Sequence, residues 1–209
     1  MKLYDYKMAP NPRRVRIFAA EKGIDLELVD IDLATKQQMT DDFKGVNSRL
    51  SVPALELDDG TIITESVAIC RYLDEIQPEP ALFGTGALGK AMVEMWHRRM
   101  ELEGMAAVAE AVRNSVEFFK DRALAGPKNY EQIPALAERA LQRIDSFYEM
   151  MDARLAESEF VAGDAYTVAD IAGLCALDFA KVVKKRPSDD QTNLKRWHEA
   201  VSARPSAAA

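Results

Sequence analysis

Cysteine and histidine are scarce in this 209-residue chain, with two of each. Cys70 and Cys175 lie far apart inside helix-like patterns, which excludes a disulfide framework and a thiolate metal cluster. His97 and His198 are too few for a zinc site, so no metal is expected. Positive charge is also in deficit: 27 Lys and Arg stand against 34 Asp and Glu, a formal charge of -7. That balance argues against nucleic acid or a membrane surface as the main partner and leaves small or neutral ligands open. No apolar run approaches the roughly 20 residues of a bilayer crossing. The opening Met-Lys-Leu-Tyr-Asp-Tyr is acidic and aromatic where a secretory leader is apolar, so a cytoplasmic location is expected. What is present, 48% apolar and 29% charged residues, suffices for a core in one large or two small domains.

The first third alternates strand and helix patterns. Lys2 to Tyr6 predicts a strand, Pro12 to Lys22 a helix and Glu27 to Leu33 a second strand. A helix carrying Thr35, Met39 and Phe43 and stopped by Gly45 comes next. Ala54 to Leu57 and Thr61 to Thr64 then flank an Asp58-Asp59-Gly60 turn and predict a hairpin. Glu65 to Gln77 closes the region as a helix with Ile69, Leu73 and Ile76 on one stripe, stopped by Pro78. A Pro/Gly-rich run follows, and strand signals nearly vanish beyond it. The expected division is a domain at residues 1-77, a linker at 78-88 and an all-helical domain at 89-209.

In the second domain, residues from Leu88 through Met92, Met95, Leu102 and Met105 to Phe119 recur at three, four or seven and predict a long helix with one buried stripe. The methionines among them suit a permissive pocket, the core or a subunit interface. Ile133, Ala140, Phe147 and Leu155 mark a second helix. A third begins at Thr167, which forms a capping box with Asp170. Leu194, Trp197 and Val201 mark a last helix at about Asp190 to Ala203, ahead of a frayed tail. His97 reads as structural or exposed, and both cysteines as inert core residues.

Three segment starts admit either a local structural reading or a binding one. Asn11 and Pro12 take the N-cap and first-turn positions of the first helix, with Gly23 at its end. Arg13, Arg14 and Arg16 oppose the helix dipole by about 0.3–1 kcal/mol each, which either solvent or an anion compensates. Pro53 follows Val52 at the start of a strand, where proline is tolerated. A cis bond there would turn the Val52 N–H and C=O outward toward a peptide-like ligand. Thr64-Glu65-Ser66 begins a helix, either as simple capping or as a carboxylate site.

In this order, Val52-Pro53, Glu65-Ser66-Val67-Ala68-Ile69 and Gly163-Asp164 before Thr167-Val168-Ala169-Asp170 resemble the cytosolic glutathione transferase family over nearly the whole chain. The resemblance implies a thioredoxin-like N-terminal domain (βαβαββα) that holds glutathione as co-substrate. It further implies a C-terminal helical bundle that forms most of a pocket for a hydrophobic electrophile, and a homodimer. Val52 would pair its main chain with the cysteinyl part of glutathione, held by a cis Pro53. Glu65 and Ser66 would bind the γ-glutamyl amine and carboxylate, and Arg49 the glycine carboxylate. Arg13 belongs to the cationic helix start that attracts the anionic tripeptide. Ala9 falls where cysteine-dependent members carry their nucleophile, so no mixed disulfide with the protein is expected. Asn11 falls where nu-class and related bacterial members carry an asparagine, whose N–H donates to the glutathione sulfur. The threonine that accompanies it there is replaced here by Ala9. Tyr6, near the same turn, is the rival donor. Lowering a thiol from about 8.5 takes about 1.4 kcal/mol of thiolate stabilisation per unit. Two functions stay open: a transferase, with peroxidase or isomerase variants of the same thiolate chemistry, or a binding protein that keeps the fold without the chemistry.

Overall fold

The computed structural model describes all residues from Met1 to Ala209 and divides into two compact units. The first comprises residues 1–80 with 124–129 and 209, the second residues 81–123 and 130–208.

The first unit runs β1 (Lys2–Asp5), α1 (Pro10–Lys22), β2 (Glu27–Asp30), α2 (Asp41–Val46), β3 (Ala54–Glu56), β4 (Ile62–Thr64) and α3 (Ser66–Ile76). This is the expected βαβαββα order. The sheet order is β2-β1-β3-β4, with β1 parallel to β2 and the other pairs antiparallel. Alternation along β1 separates its faces: Leu3 and Asp5 are buried, and Asp5 is ion-paired with Arg16 of α1, while Tyr4 meets Phe43 of α2 edge to face. Helices therefore cover both sides of the sheet, and α1 and α3 pack against each other.

Local chemistry moves several boundaries. α1 starts two residues earlier than expected, because Pro10 supplies a ready-made first helical residue; Ala9 is the N-cap, and Asn11 lies inside the first turn. Gly23 ends this helix in the left-handed region, φ 65, as expected. The helix expected from Thr35 is instead a 3-10 turn at Gln37–Met39 followed by α2. Thr40 breaks it in two by accepting the Phe43 N–H at 3.3 Å, and Gly45 sits inside α2.

The second unit is helical: α4 (Gly86–Arg99), a π-helical segment (Met100–Met105), α5 (Ala106–Ser115), α6 (Pro134–Glu157), α7 (Val168–Ala180) and α8 (Thr192–Ser202). The long helix expected here is interrupted by the π segment, where the Arg143 guanidinium donates to the Leu102 carbonyl at 2.8 Å. The expected stripe is buried at Met105 and Val112 but not in its first half. Val93, Trp96, His97, Met100 and Val108 are buried, whereas Leu88 is 76% exposed and Met92, Met95 and Leu102 are also open. Gly104 sits where a Cβ would come within 2.6 Å of the Phe147 ring, which fixes how closely α6 approaches.

α7 is the core helix. Asp170, fully buried, accepts from Thr167 N, Val161 N and Trp197 Nε1, each at 2.9 Å, and Thr167 caps the helix by accepting from Ala169 N. Burial pushes the Asp170 carboxyl up, and these donors pull it back. The chain after α8 forms a 3-10 turn at Pro205–Ala208 with Ser206 buried, so the expected fraying does not extend to these residues. No helix is long and apolar enough to cross a membrane.

Candidate functional site

Strand register brings separate segments to one end of the sheet. Tyr4 of β1 pairs with Ala54 of β3, and Ala54 with Thr64 of β4. Because β3 runs antiparallel to both neighbours, the end of β1, the start of β3 and the end of β4 face the same way. Tyr6 and the turn to α1, Val52-Pro53, and Glu65-Ser66 follow directly from those ends.

The turn is held tightly. The Tyr6 carbonyl accepts the Ala9 N–H at 2.8 Å, and Arg16, paired to Asp5, donates to the Lys7 carbonyl at 3.1 Å. Proline at positions 10 and 12 removes two of the amides that normally open a helix start. The main-chain and side-chain N–H groups of Asn11 are what remains of the donor set there. Asn11 is exposed, and its side-chain oxygen lies 3.5 Å from Arg14 Nη1, which turns the amide nitrogen away from Arg14. Arg13 is half-buried in the same turn. Tyr6 is half-buried beyond the end of β1, and Tyr4, two residues back, is committed to Glu56.

At the second corner the Val52–Pro53 bond is cis, and the ladder of β3 begins only at Ala54. No other backbone group takes the Val52 N–H or C=O. The loop before it is shaped by buried Asn47, whose side chain donates to the Ser51 carbonyl at 2.6 Å and accepts the Arg49 N–H at 2.9 Å. Arg49 itself is exposed. At the third corner Ser66 is buried at the first position of α3, and exposed Glu65 holds φ 69, ψ 119. That conformation costs a non-glycine residue about 1–3 kcal/mol. It bends the chain so that the opening amides of α3 face the same end of the sheet as Val52. The arrangement offers main-chain donors and acceptors, one carboxylate and several cations, a set suited to a small zwitterionic peptide.

The family model of the glutathione S-transferase N-terminal domain matches residues 9–76, and that of the C-terminal domain residues 104–205. The chain belongs to the glutathione S-transferase family. Among curated relatives, glutathione S-transferase 2 of Saccharomyces cerevisiae is 34% identical over 99% of this chain and 87% of its own length. A glutathione S-transferase domain-containing protein of Marinobacter aquaeolei VT8 has a solved structure 36% identical, covering 99% of both chains with a TM-score of 0.89. A class Gtt2 glutathione S-transferase of Vibrio parahaemolyticus is 39% identical over 99% of this chain and 94% of its own, with a TM-score of 0.83. The family is one of transferases.

Two features of the first unit of this glutathione S-transferase are not marked in the sequence pattern. The anion that compensates Arg16 is the protein's own Asp5: Arg16 is buried and pins the turn, and the signal is Asp5 at an inward-facing strand position. The second is the segment 124–129, which joins the first unit although it lies far along the chain. No periodicity marks it.

Proposed function

We propose that the protein is a glutathione transferase that attaches the glutathione sulfur to hydrophobic electrophiles. The observation that carries this reading is that strand register brings the ends leading to the Asn11 turn, Val52 and Glu65-Ser66 to one end of the sheet, where the Val52 N–H and C=O take no backbone partner. Glutathione would lie across them as a short edge strand: its cysteinyl part on the Val52 N–H and C=O, its γ-glutamyl amine on Glu65 and carboxylate on Ser66, and its glycine carboxylate toward Arg49. Pro53, buried under this corner, shapes the Val52 segment. Arg13 adds positive potential at the start of α1.

The Asn11 amide N–H donates to the sulfur, and the N-terminal end of α1 favours its anion. The thiol proton leaves to solvent, and the thiolate lone pair forms a C–S bond to the electrophilic carbon as the leaving group departs. The open face of α4, with Leu88, Met92 and Met95 four and three apart, suits a second copy of the chain in a homodimer.

The second reading, a glutathione-binding protein without turnover, draws on Lys7-Met8-Ala9-Pro10, a turn without serine, threonine or cysteine. Calorimetry with glutathione, then turnover of a broad electrophile panel, separates the two. Binding with turnover supports the transferase, binding alone the second reading, and absence of binding at millimolar glutathione ends both. Asn11→Ala is expected to lower kcat/KM by about tenfold or more and to raise the pKa of the bound thiol. Full activity in Asn11→Ala with loss in Tyr6→Phe would transfer the role to Tyr6.

A further inference from the structure

The chain between α5 and α6 has a built neck and a displaced tip. At the neck, Arg113 donates from Nε to the Ala123 carbonyl at 3.2 Å and from Nη2 to the Arg122 carbonyl at 2.8 Å. Gln132 Nε2 donates to the carbonyls of Arg113 and Val116, both at 2.9 Å, and Asn114 Oδ1 accepts the Ile133 N–H at 2.9 Å. Two main-chain bonds of 3.0 Å, Ala123 N to Tyr130 O and Tyr130 N to Asp121 O, close the ring. The six residues that emerge, Leu124–Asn129, belong to the first unit. Gly126 is buried at the centre of this tip with φ +124, a conformation side chains rarely adopt. A Cβ added there would lie 3.5 Å from Nη2 and 3.8 Å from Cζ of Arg49.

Arg49 has its main chain fixed by Asn47, but its guanidinium carries no ion pair or hydrogen bond. A free arginine loses rotamer entropy when it binds a ligand, and a surface behind it removes part of that loss beforehand. We infer that the Leu124–Asn129 tip is a specificity element that backs the Arg49 guanidinium and aims it at the carboxylate of the C-terminal glycine, so that the protein selects glutathione over γ-glutamylcysteine. This rests on the placement of glutathione proposed above. Glycine at 126 is required by its backbone conformation at φ +124, which seats the main chain in van der Waals reach of the Arg49 guanidinium.

Dissociation constants for glutathione and γ-glutamylcysteine, measured by calorimetry on the full chain, test this with Arg49→Ala, Gly126→Ala and Arg113→Lys. The wild type is expected to prefer glutathione by about tenfold or more, the worth of one charge-assisted contact. Arg49→Ala should abolish the preference, and Gly126→Ala and Arg113→Lys should each reduce it by about threefold. Arg113→Lys reads the tip through its neck, so the test stands if Gly126→Ala does not fold. A preference retained in both tip variants but lost in Arg49→Ala overturns the role of the tip while keeping Arg49 as the carboxylate partner. Equal affinities in the wild type, or no effect of Arg49→Ala, overturn the inference together with the placement of the glycine end. No binding of either peptide removes the proposed function itself.

Discussion

The Tyr4 hydroxyl donates to Glu56 at 2.5 Å on the side of the sheet that meets α2, with Lys2 on the other carboxylate oxygen. A phenolate in that position would face a carboxylate, so the hydrogen bond to Glu56 raises the Tyr4 pKa from 10 to about 12 and holds the Glu56 carboxyl below its usual range. The signs follow. Tyr4 favours the fold fully below pH 10 and loses that contribution as pH rises from 10 through about 12. Glu56 favours the fold above the ordinary glutamate range and loses that contribution on acidification. Ultraviolet titration of tyrosinate should show, besides Tyr148, which burial pushes higher still, a group ionising near 12 that disappears in Tyr4→Phe and moves down toward 10 in Glu56→Gln; an unmoved titration in Glu56→Gln would contradict this assignment. At this scale the sequence was only partly legible. Alternation placed Tyr4 on a strand face, but its partner lies 52 residues away on β3, and such pairings follow from register. Residue type and neighbourhood make Asn11 a candidate, while the orientation of its amide is set by Arg14, which only the helix geometry brings within reach.

Caps and breaks explain where the element readings held. Thr167 and Asp170 lie three apart, close enough for the pattern to be read directly, and the capping box forms as expected. Thr167→Ala should cost about 1 kcal/mol, the ordinary value of a cap. Asp170→Ala should cost at least about 3 kcal/mol, because four buried donors, the Thr167 hydroxyl among them, lose their acceptor at once. Denaturant midpoints of the two variants should therefore differ clearly, and equal midpoints would show that Asp170 acts as a cap alone. The α4 reading failed for a related reason. A stripe at three, four and seven assumes one uniform helix, and the π segment at Met100–Met105 shifts the register between its halves. The α2 reading failed because Thr40 competes with the helix for its own backbone, a local bond that apolar spacing does not reveal.

For the whole molecule, the expected order of a mixed α/β unit before a helical one is present, since long periodic helices and short alternating strands differ plainly in pattern. The interlacing by which residues 124–129 return to the first unit carried no such pattern. The exposed apolar face of α4 gives a molecular prediction. Sedimentation should show a dimer of the 23.3 kDa chain, and Met92→Lys with Met95→Lys should yield a folded monomer. A dimer that survives both changes would place the interface elsewhere. The position of Trp197 has a different consequence. It lies 27 residues after Asp170, whose carboxylate its indole satisfies. On the ribosome, the Asp170 carboxyl emerges well before the indole that completes its hydrogen bonding. That unit therefore cannot reach its final packing as α7 is made, and a nascent chain arrested before α8 should be recognised by chaperones or proteases as unfinished.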